Sequence, residues 1–244
     1  MTTLLASDVH LSAARPDMVE RFLTLLGGPA RRCDALYLLG DVFDLWLGDD
    51  DDRAPHDAVC SALAELTASG VPVHVAHGNH DFLLGEAFAA RTGCTLLPDS
   101  ATVEIAGEPV LVMHGDQLCT RDVDYQAFRR HSRDPRAQQA FLARPLAERL
   151  EAASALRVQS QAASRLKADD IMDVTPDAVV AALRAADVRV LVHGHTHRPG
   201  FHRLPELGPE PGTRIVLGDW YATDSVLAWD AAGPRLTCIA ELTG

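Results

Sequence analysis

The chain has 244 residues, of which 47% are hydrophobic and 23% charged, a composition that indicates a packed globular protein and excludes a disordered, collagen-like or coiled-coil chain. Its formal net charge of −12 argues against a general nucleic-acid binder, because such proteins are usually basic. No apolar run approaches the roughly 20 residues of a membrane-spanning helix, and the first residues lack the features expected of a secretory signal.

The first third of the sequence alternates apolar strands with helices. Strands are predicted at Leu4–Val9, Ala35–Leu39 and Val71–Ala76, and helices at Met18–Leu26, Ala58–Leu66 and Phe82–Ala90. Two further apolar segments, at Thr102–Ile105 and Val110–Met113, flank Gly107 and predict a hairpin. Continuous apolar strands that alternate with helices predict a mostly parallel sheet covered on both faces.

The pattern changes between Asp122 and about Asp170, where strand signals are absent. Pro135 and Pro145 are each suited to the first turn of a helix. We therefore predict a helical insertion at 122–170 in a core formed by 1–121 and 171–244. The core pattern then resumes with a helix at Pro176–Ala186 and strands at Val188–Val192, Thr213–Leu217, Ser225–Trp229 and Leu236–Ala240.

Charge is unevenly distributed along the chain. Residues 121–167 hold ten Lys/Arg and five Asp/Glu, so this segment is basic within an acidic protein. Such a segment indicates an anionic partner, which could be a phosphorylated ligand or a lipid surface. The alternative is a solvated helical face. The acidic run at Asp49–Asp52 is expected to be a solvated loop.

Polar side chains lie at the ends of predicted strands, where ligands bind in open α/β folds. They fall in five separate segments: Asp8 and His10; Asp41; Asn79, His80 and Asp81; His114 and Asp116; His193, His195 and His197. Several oxygen and imidazole ligands, with one carboxylate able to bridge, suit two divalent cations about 3.5–4 Å apart. Such a pair can activate a water and hold a phosphoryl oxygen.

The five cysteines and several histidines are not among the predicted cation ligands. The five cysteines are odd in number and show no Cys-x-x-Cys spacing, which favours reduced thiols. His193 is expected to be buried rather than to bind a cation. Exposed positions are expected for His56, His131 and His202.

Five motifs resemble the signature of calcineurin-like metallophosphoesterases, over nearly the whole chain: Asp8-x-His10, Gly40-Asp41, Gly78-Asn79-His80-Asp81, His114-Gly115-Asp116 and Gly194-His195-Thr196-His197. The resemblance implies an α/β fold in which a sandwich of two β-sheets is flanked by helices. It implies one cation held by Asp8, His10, Asp41 and His197, and a second held by Asp41, Asn79, His114 and His195. Catalytic roles are implied for Asp41, Asn79 and His80, with the histidine assisting the leaving group.

A closer resemblance is to the UDP-2,3-diacylglucosamine hydrolase family of lipid A biosynthesis. It is carried by Ser7–Leu11, Leu39–Asp44, His114–Thr120, Ile171–Val174 and Leu217–Trp220. It implies hydrolysis of the pyrophosphate of UDP-2,3-diacylglucosamine to UMP and 2,3-diacylglucosamine 1-phosphate (lipid X), by attack of a water that two divalent cations, typically Mn²⁺, activate. The helical insertion would then form a lid over the acyl chains.

The same resemblance implies a set of substrate contacts: Asn79, His80, Asp122, Tyr125, Arg157, Ser160, Ser164, Lys167 and His195. Two positions depart from the family pattern. His80 stands where members commonly have Arg, and Ser164 stands where we expect Asn. Lys167 is the only lysine among the 22 Lys/Arg residues, and a compact ammonium group suits a phosphate site.

The implied lipid substrate predicts a cytoplasmic protein bound peripherally to the cytoplasmic face of the bacterial inner membrane. Neither a nucleic-acid partner nor an obligate protein partner is expected. Three alternatives stay open at this point. The chain could be a metallophosphoesterase acting on another nucleotide or small phosphoester, which His80 favours; a non-catalytic scaffold of the same fold; or a peripheral membrane protein whose basic insertion only binds anionic lipid.

Overall fold

Eleven strands and eight α-helices make up the part of the chain that the computed structural model describes, residues 2–164, 171, 173–221 and 224–243, without the side chains of 159–164. The strands are β1 (Thr3–Ala6), β2 (Ala35–Leu39), β3 (Val73–Ala76), β4 (Thr95–Leu96), β5 (Ser100–Ile105), β6 (Glu108–Met113), β7 (Val190–His193), β8 (Gly200–Leu204), β9 (Gly212–Val216), β10 (Ser225–Asp230) and β11 (Gly233–Cys238). The helices are α1 (Pro16–Gly27), α2 (His56–Ala68), α3 (Glu86–Thr92), α4 (Val123–Ser132), α5 (Pro135–Leu142), α6 (Leu146–Ser164), α7 (Pro176–Ala186) and α8 (Ile239–Thr243).

The strands form two mixed sheets. The first has the order β11-β10-β1-β2-β3-β4, with β1 to β4 parallel and β10 and β11 antiparallel at one edge. The second has the order β5-β6-β7-β9-β8, in which β6, β7 and β9 are parallel. The parallel arrangement predicted for the first third of the chain is confirmed, as is the two-sheet fold that the family resemblance implied.

Alternate side chains of the central strands are buried on opposite faces. In β1, Leu5 packs between the two sheets, whereas Leu4 and Ala6 face the helices on the outer side of the first sheet. Helices α1, α2 and α3 contribute apolar side chains to that outer layer, and α7 covers the second sheet. Full burial of a leucine side chain stabilises the fold by about 1.5–3 kcal/mol, so both faces of each sheet contribute.

The acidic run at Asp49–Asp52 is not simply a solvated loop, and this expectation is wrong. The Asp51 carboxylate is buried beside Arg53 and His56. Asp49 accepts hydrogen bonds from the backbone N–H groups of residues 85 and 88, at 3.0 and 2.9 Å. These bonds satisfy free donors at the start of α3, so the helix begins at Glu86 rather than at the predicted Phe82. His56, expected to be exposed, is also buried.

The last predicted strand is likewise displaced. It begins at Gly233 and ends at Cys238, because the chain turns into α8 at Ile239. The short strand β4 and the edge strand β8 carry little apolar periodicity and were not predicted.

Residues 123–164 form α4, α5 and α6 with short connections, and they attach to the rest of the structure largely through arginines. Helices α4 and α5 contain no buried residue. Four arginines bind acceptors outside the segment: Arg129 the Asp116 carboxylate, Arg133 the Gly78 carbonyl, Arg149 the Asp50 carboxylate and Arg157 the Asp44 carboxylate. Part of the segment's basic charge is therefore matched by acidic groups of the same chain. Among the described residues, no helix combines the length and apolar character needed to cross a membrane.

Candidate metal centre

The candidate site lies where parallel strands of both sheets end. Asp8 and His10 follow β1, Asp41 follows β2, and Asn79 and His80 follow β3 of the first sheet. His114 follows β6 of the second sheet, and His195 and His197 follow β7. Because the two sheets pack face to face, their carboxyl ends bring these loops to one rim.

The local backbone of this rim is unusual. Five of the predicted cation ligands have a left-handed backbone, with φ between 50° and 67°: Asp8, His10, Asp41, His195 and His197. Such a conformation is uncommon outside glycine and costs of order 1–3 kcal/mol per residue, and it clusters at functional sites. Two glycines permit the close approach of the loops, since a Cβ at Gly78 would overlap the Asp41 carboxylate and one at Gly194 would overlap that of Asp8.

Asp41 occupies the centre of the site. Its Oδ2 atom lies 3.8 Å from His10 Nε2 and 3.5 Å from His114 Nε2. Its Oδ1 atom accepts a hydrogen bond from the backbone N–H of His80 at 2.8 Å. One carboxylate oxygen between two imidazole nitrogens from different loops is the arrangement that a bridging ligand requires.

Asp8 lies beside Asp41 and close to His10 and His197. Ligand atoms of Asp8, His10 and His197 lie within 4.8 Å of one another, and His197 Nε2 is 3.1 Å from Asp8 Oδ1. The other ring nitrogen of His197, Nδ1, is 3.4 Å from Asp219 Oδ2. A carboxylate on the far nitrogen orients a ligating imidazole and increases its basicity, so this donor set fits a cation.

The second donor set is built around His114. Its Nε2 atom is 3.0 Å from Asn79 Oδ1, and its Nδ1 atom is 2.9 Å from the carbonyl of Leu39, which fixes the ring. The ring centroid of His195 lies 5.1 Å from that of His114. The backbone N–H of His195 donates to the Asp8 carboxylate at 2.9 Å. His80 also lies near the centre, because ligand atoms of His10, Asp41 and His80 are within 4.8 Å of one another.

The electrostatics of the site follow from buried charges in close contact. Burial alone would raise the pKa of Asp41, but the positive imidazole of His114 holds it well below its usual range. Burial favours neutral His114, yet the Asp41 carboxylate outweighs it and raises the pKa of His114 to about 10. Burial lowers the pKa of His195 to about 4. The protein thus holds carboxylates that are ionised at neutral pH, as cation binding requires.

The predicted substrate contacts are distributed around this centre. Asp122 accepts a hydrogen bond from the N–H of Tyr125 and so caps α4. The Tyr125 hydroxyl donates to Asp116 at 2.6 Å, and its ring stacks on His195 at 5.9 Å. Arg157 makes two hydrogen bonds to Asp44, at 2.6 and 3.0 Å. The side chains of Ser160 and Ser164, and Lys167 as a whole, lie outside the described residues.

Several groups at the site carried no predicted role. Asp81 is buried and accepts hydrogen bonds from backbone N–H groups of both the β2 and β3 loops. Tyr221 stacks on His10, and Arg15 lies over the Tyr221 ring. The only sequence signal for Asp81 and Tyr221 was their position at or beside a motif. His193 is buried, as expected, with its Nδ1 atom 2.8 Å from the carbonyl of Gly194.

Comparison with known proteins finds relatives over nearly the whole chain. The family described as calcineurin-like phosphoesterase matches residues 1–199. The UDP-2,3-diacylglucosamine hydrolase of Pseudomonas paraeruginosa is 49% identical, over 96% of this chain and 98% of its own length. The protein of that name from Cellvibrio japonicus is 47% identical, over 97% and 98% of the two chains. The solved structure of a novel archaeal phosphodiesterase superposes with a TM-score of 0.50 at 13% identity, covering 97% and 98% of the two chains, and it supports the fold alone.

Proposed function

The chain belongs to the calcineurin-like phosphoesterase family, and within this family we propose that it hydrolyses the pyrophosphate bond of UDP-2,3-diacylglucosamine. The products are UMP and 2,3-diacylglucosamine 1-phosphate, in a step of lipid A biosynthesis. The observation that carries the proposal is the Asp41 carboxylate between two imidazoles, beside a helical segment with exposed apolar side chains. The relatives named UDP-2,3-diacylglucosamine hydrolase support the choice of substrate.

Two divalent cations would be held by the two donor sets that share Asp41, and Mn²⁺ is the proposed metal. The first set is Asp8, His10, Asp41 and His197, and the second is Asp41, Asn79, His114 and His195. Mixed oxygen and imidazole donors suit a borderline divalent cation of this kind. When bound, the pair supplies activation of a water molecule and neutralisation of phosphoryl charge.

The chain's own residues orient the phosphate and the leaving group. The Asn79 amide contacts a non-bridging phosphoryl oxygen and stabilises negative charge there as the reaction proceeds. His80 is held by a contact of 2.9 Å between its Nδ1 atom and the carbonyl of Asp44, and by the bond from its backbone N–H to Asp41. With its backbone and one ring nitrogen fixed, His80 assists departure of the sugar phosphate, at a position where members of the hydrolase family commonly have Arg.

Residues 122–170 act as a lid over the diacylated sugar. The helices of this segment expose large apolar side chains, including Phe128, Leu142 and Leu156 at 39%, 40% and 47%. Exposed large apolar side chains suit contact with an apolar ligand, here the acyl chains. Polar contacts to the sugar phosphate and nucleotide come from Asp122, Tyr125, Arg157, Ser160, Ser164, Lys167 and His195.

The substrate also determines where the protein works. A diacylated sugar nucleotide resides in a bilayer, so the protein associates peripherally with the cytoplasmic face of the inner membrane. Arginines of α4 and α5 that are not engaged with the core, such as Arg130 and Arg136, are exposed and suit an anionic surface.

Mass spectrometry of the products from UDP-2,3-diacylglucosamine tests the proposal. Purified protein with Mn²⁺ should release UMP and the acylated sugar 1-phosphate, and Asp41→Ala should lose both turnover and bound metal. Turnover of a generic aryl phosphodiester without turnover of the lipid would instead identify a different phosphoesterase. Normal turnover by Asp41→Ala would refute the two-cation site.

A further inference from the structure

A column of three planar groups runs from the metal centre to the surface. The ring of Tyr221 lies nearly parallel to the His10 imidazole, with an interplanar angle of 13° and centroids 5.8 Å apart. The guanidinium carbon of Arg15 lies over the same phenol ring, 5.0 Å from its centroid. His10 is only 5% exposed, whereas Tyr221 is 44% exposed, so the outer part of the column is open to solvent.

The outer guanidinium is held in place. Arg15 makes two hydrogen bonds to Asp17, from Nε at 3.0 Å and from Nη2 at 2.8 Å. A two-point contact fixes the plane of a guanidinium as well as its position. Neither Arg15 nor Tyr221 belongs to the buried core, and surface pairs of this kind add little to stability. The column therefore presents a flat, cationic surface that packing of the fold does not require.

The two halves of the proposed substrate need different surfaces. Exposed apolar side chains of α4, α5 and α6 suit acyl chains, but a pyrimidine needs a flat group on which to stack. Among the described aromatic side chains near the centre, Tyr125 packs on His195, and Phe128 lies within the helical segment. The Tyr221 ring lies between His10 and Arg15, which leaves the outer face of the Arg15 guanidinium as a flat surface for a base. Tyr221 adjoins the first donor set directly through His10, so a phosphate bound there places its nucleoside within reach.

Resting on the proposed function, we propose that Arg15 and Tyr221 form the subsite for the pyrimidine nucleotide half of the substrate. The base stacks on the outer face of the Arg15 guanidinium, which the phenol ring of Tyr221 supports from the other side, while the phosphate of the nucleotide lies at the metal centre. The guanidinium also adds positive charge beside a dianionic ligand, which an ammonium group would supply without the flat surface.

Calorimetric titration of the Mn²⁺-loaded protein with UMP and with ribose 5-phosphate tests this subsite. Both ligands carry a phosphate, but only UMP carries a base. Tyr221→Ala removes the ring that supports the guanidinium plane, so it should weaken UMP binding about tenfold, the size of one base–aromatic stack, and leave ribose 5-phosphate unchanged. Tyr221→Phe should keep the affinity for UMP. Arg15→Lys keeps the charge but loses the plane, so it should weaken UMP alone, whereas Arg91→Lys, an exposed arginine paired with Asp57, should change neither.

Two results would overturn the subsite. One is wild-type UMP affinity in Tyr221→Ala. The other is an equal loss for both ligands, which would mean that Tyr221 only supports His10 and the cations. Turnover of UDP-2,3-diacylglucosamine by the wild-type protein separates this test from the proposed function. Turnover with base-independent binding removes the subsite alone, and base-dependent binding without turnover keeps the nucleotide subsite and removes the lipid substrate.

Discussion

Replacing Asp81 with Asn should destabilise the protein and weaken cation binding at the same time. The Asp81 carboxylate is buried and accepts four backbone hydrogen bonds. The donors are Asp41 N at 3.2 Å, Val42 N at 2.7 Å, Phe43 N at 3.3 Å and Gly78 N at 2.8 Å. The first three belong to the loop after β2 and the last to the loop after β3, so one carboxylate joins the two loops that carry Asp41 and Asn79.

The size of the effect follows from these four contacts. An Asn side chain offers one acceptor oxygen and turns an N–H₂ group towards the N–H donors that faced the other oxygen. Loss of one short charge-assisted bond costs about 1.5–3 kcal/mol, and a buried donor left without a partner costs about 1–3 kcal/mol more. Burial and the Asp41 charge raise the pKa of Asp81, which offsets part of this loss. We expect a net destabilisation of about 3 kcal/mol.

Thermal unfolding and Mn²⁺ calorimetry measure the two consequences. For a domain of this size about 3 kcal/mol corresponds to a fall of ~6–12 °C in Tm. Disturbing a group that orients ligands commonly lowers metal affinity by about 10–100-fold. Asp52→Asn, an exposed carboxylate in a nearby loop, is the matched control and should change neither quantity. A wild-type Tm together with wild-type Mn²⁺ affinity in Asp81→Asn would refute the reasoning.

Three further outcomes are expected. At pH 8 the pKa of about 10 keeps His114 protonated, whereas an imidazole that binds a cation must be neutral. Mn²⁺ binding should therefore release about one proton and become stronger as pH rises. Calorimetry in buffers of different ionisation enthalpy measures the released proton, and equal binding heats in all buffers would contradict it. Gly78→Ala should lose Mn²⁺ binding and turnover because the new Cβ overlaps Asp41, whereas Gly27→Ala, with open space around it, should keep both. Arg157→Ala removes the ion pair with Asp44 near the surface, so the free energy of unfolding should change by at most about 1 kcal/mol. The KM for the lipid substrate should rise, and an unchanged KM would exclude a substrate contact.

Local sequence signals determined much of the fold. The strand at Ala35–Leu39 and the helix at Pro176–Ala186 have the predicted bounds, because each is an uninterrupted apolar or amphipathic segment with a clear end. The polar residues after β1, β2 and β3 lie together at one rim because parallel strands share a carboxyl edge. The periodicity of apolar residues and the location of polar residues directly after strands were sufficient to predict these features.

Contacts between distant segments could not be predicted in this way. Asp49 caps α3 from 36 or more residues away, and Asp50 binds Arg149 across 99 residues. Neither pair produces a periodic pattern, so an acidic run that looks solvated in sequence is partly used by the fold. The same limit applies to the basic helical segment. Its sequence predicts a ligand surface or a solvated face, whereas the structure pairs Arg129 and Arg157 with carboxylates of the core.

The left-handed conformations at the rim show how the fold prepares the site. Asp8 and His195 would each relax by moving towards a β or helical backbone, which would turn their side chains away from the centre. Backbone hydrogen bonds oppose that relaxation, since Asp8 N donates to the carbonyl of Gly40 at 3.1 Å and His195 N donates to the Asp8 carboxylate at 2.9 Å. Both bonds cross between loops of different strands, so the sheets contribute to holding the ligand geometry. Packing of the core therefore supplies the free energy that orders the ligand side chains. Cation affinity then depends on positioning groups such as Asp81 as well as on the ligands themselves.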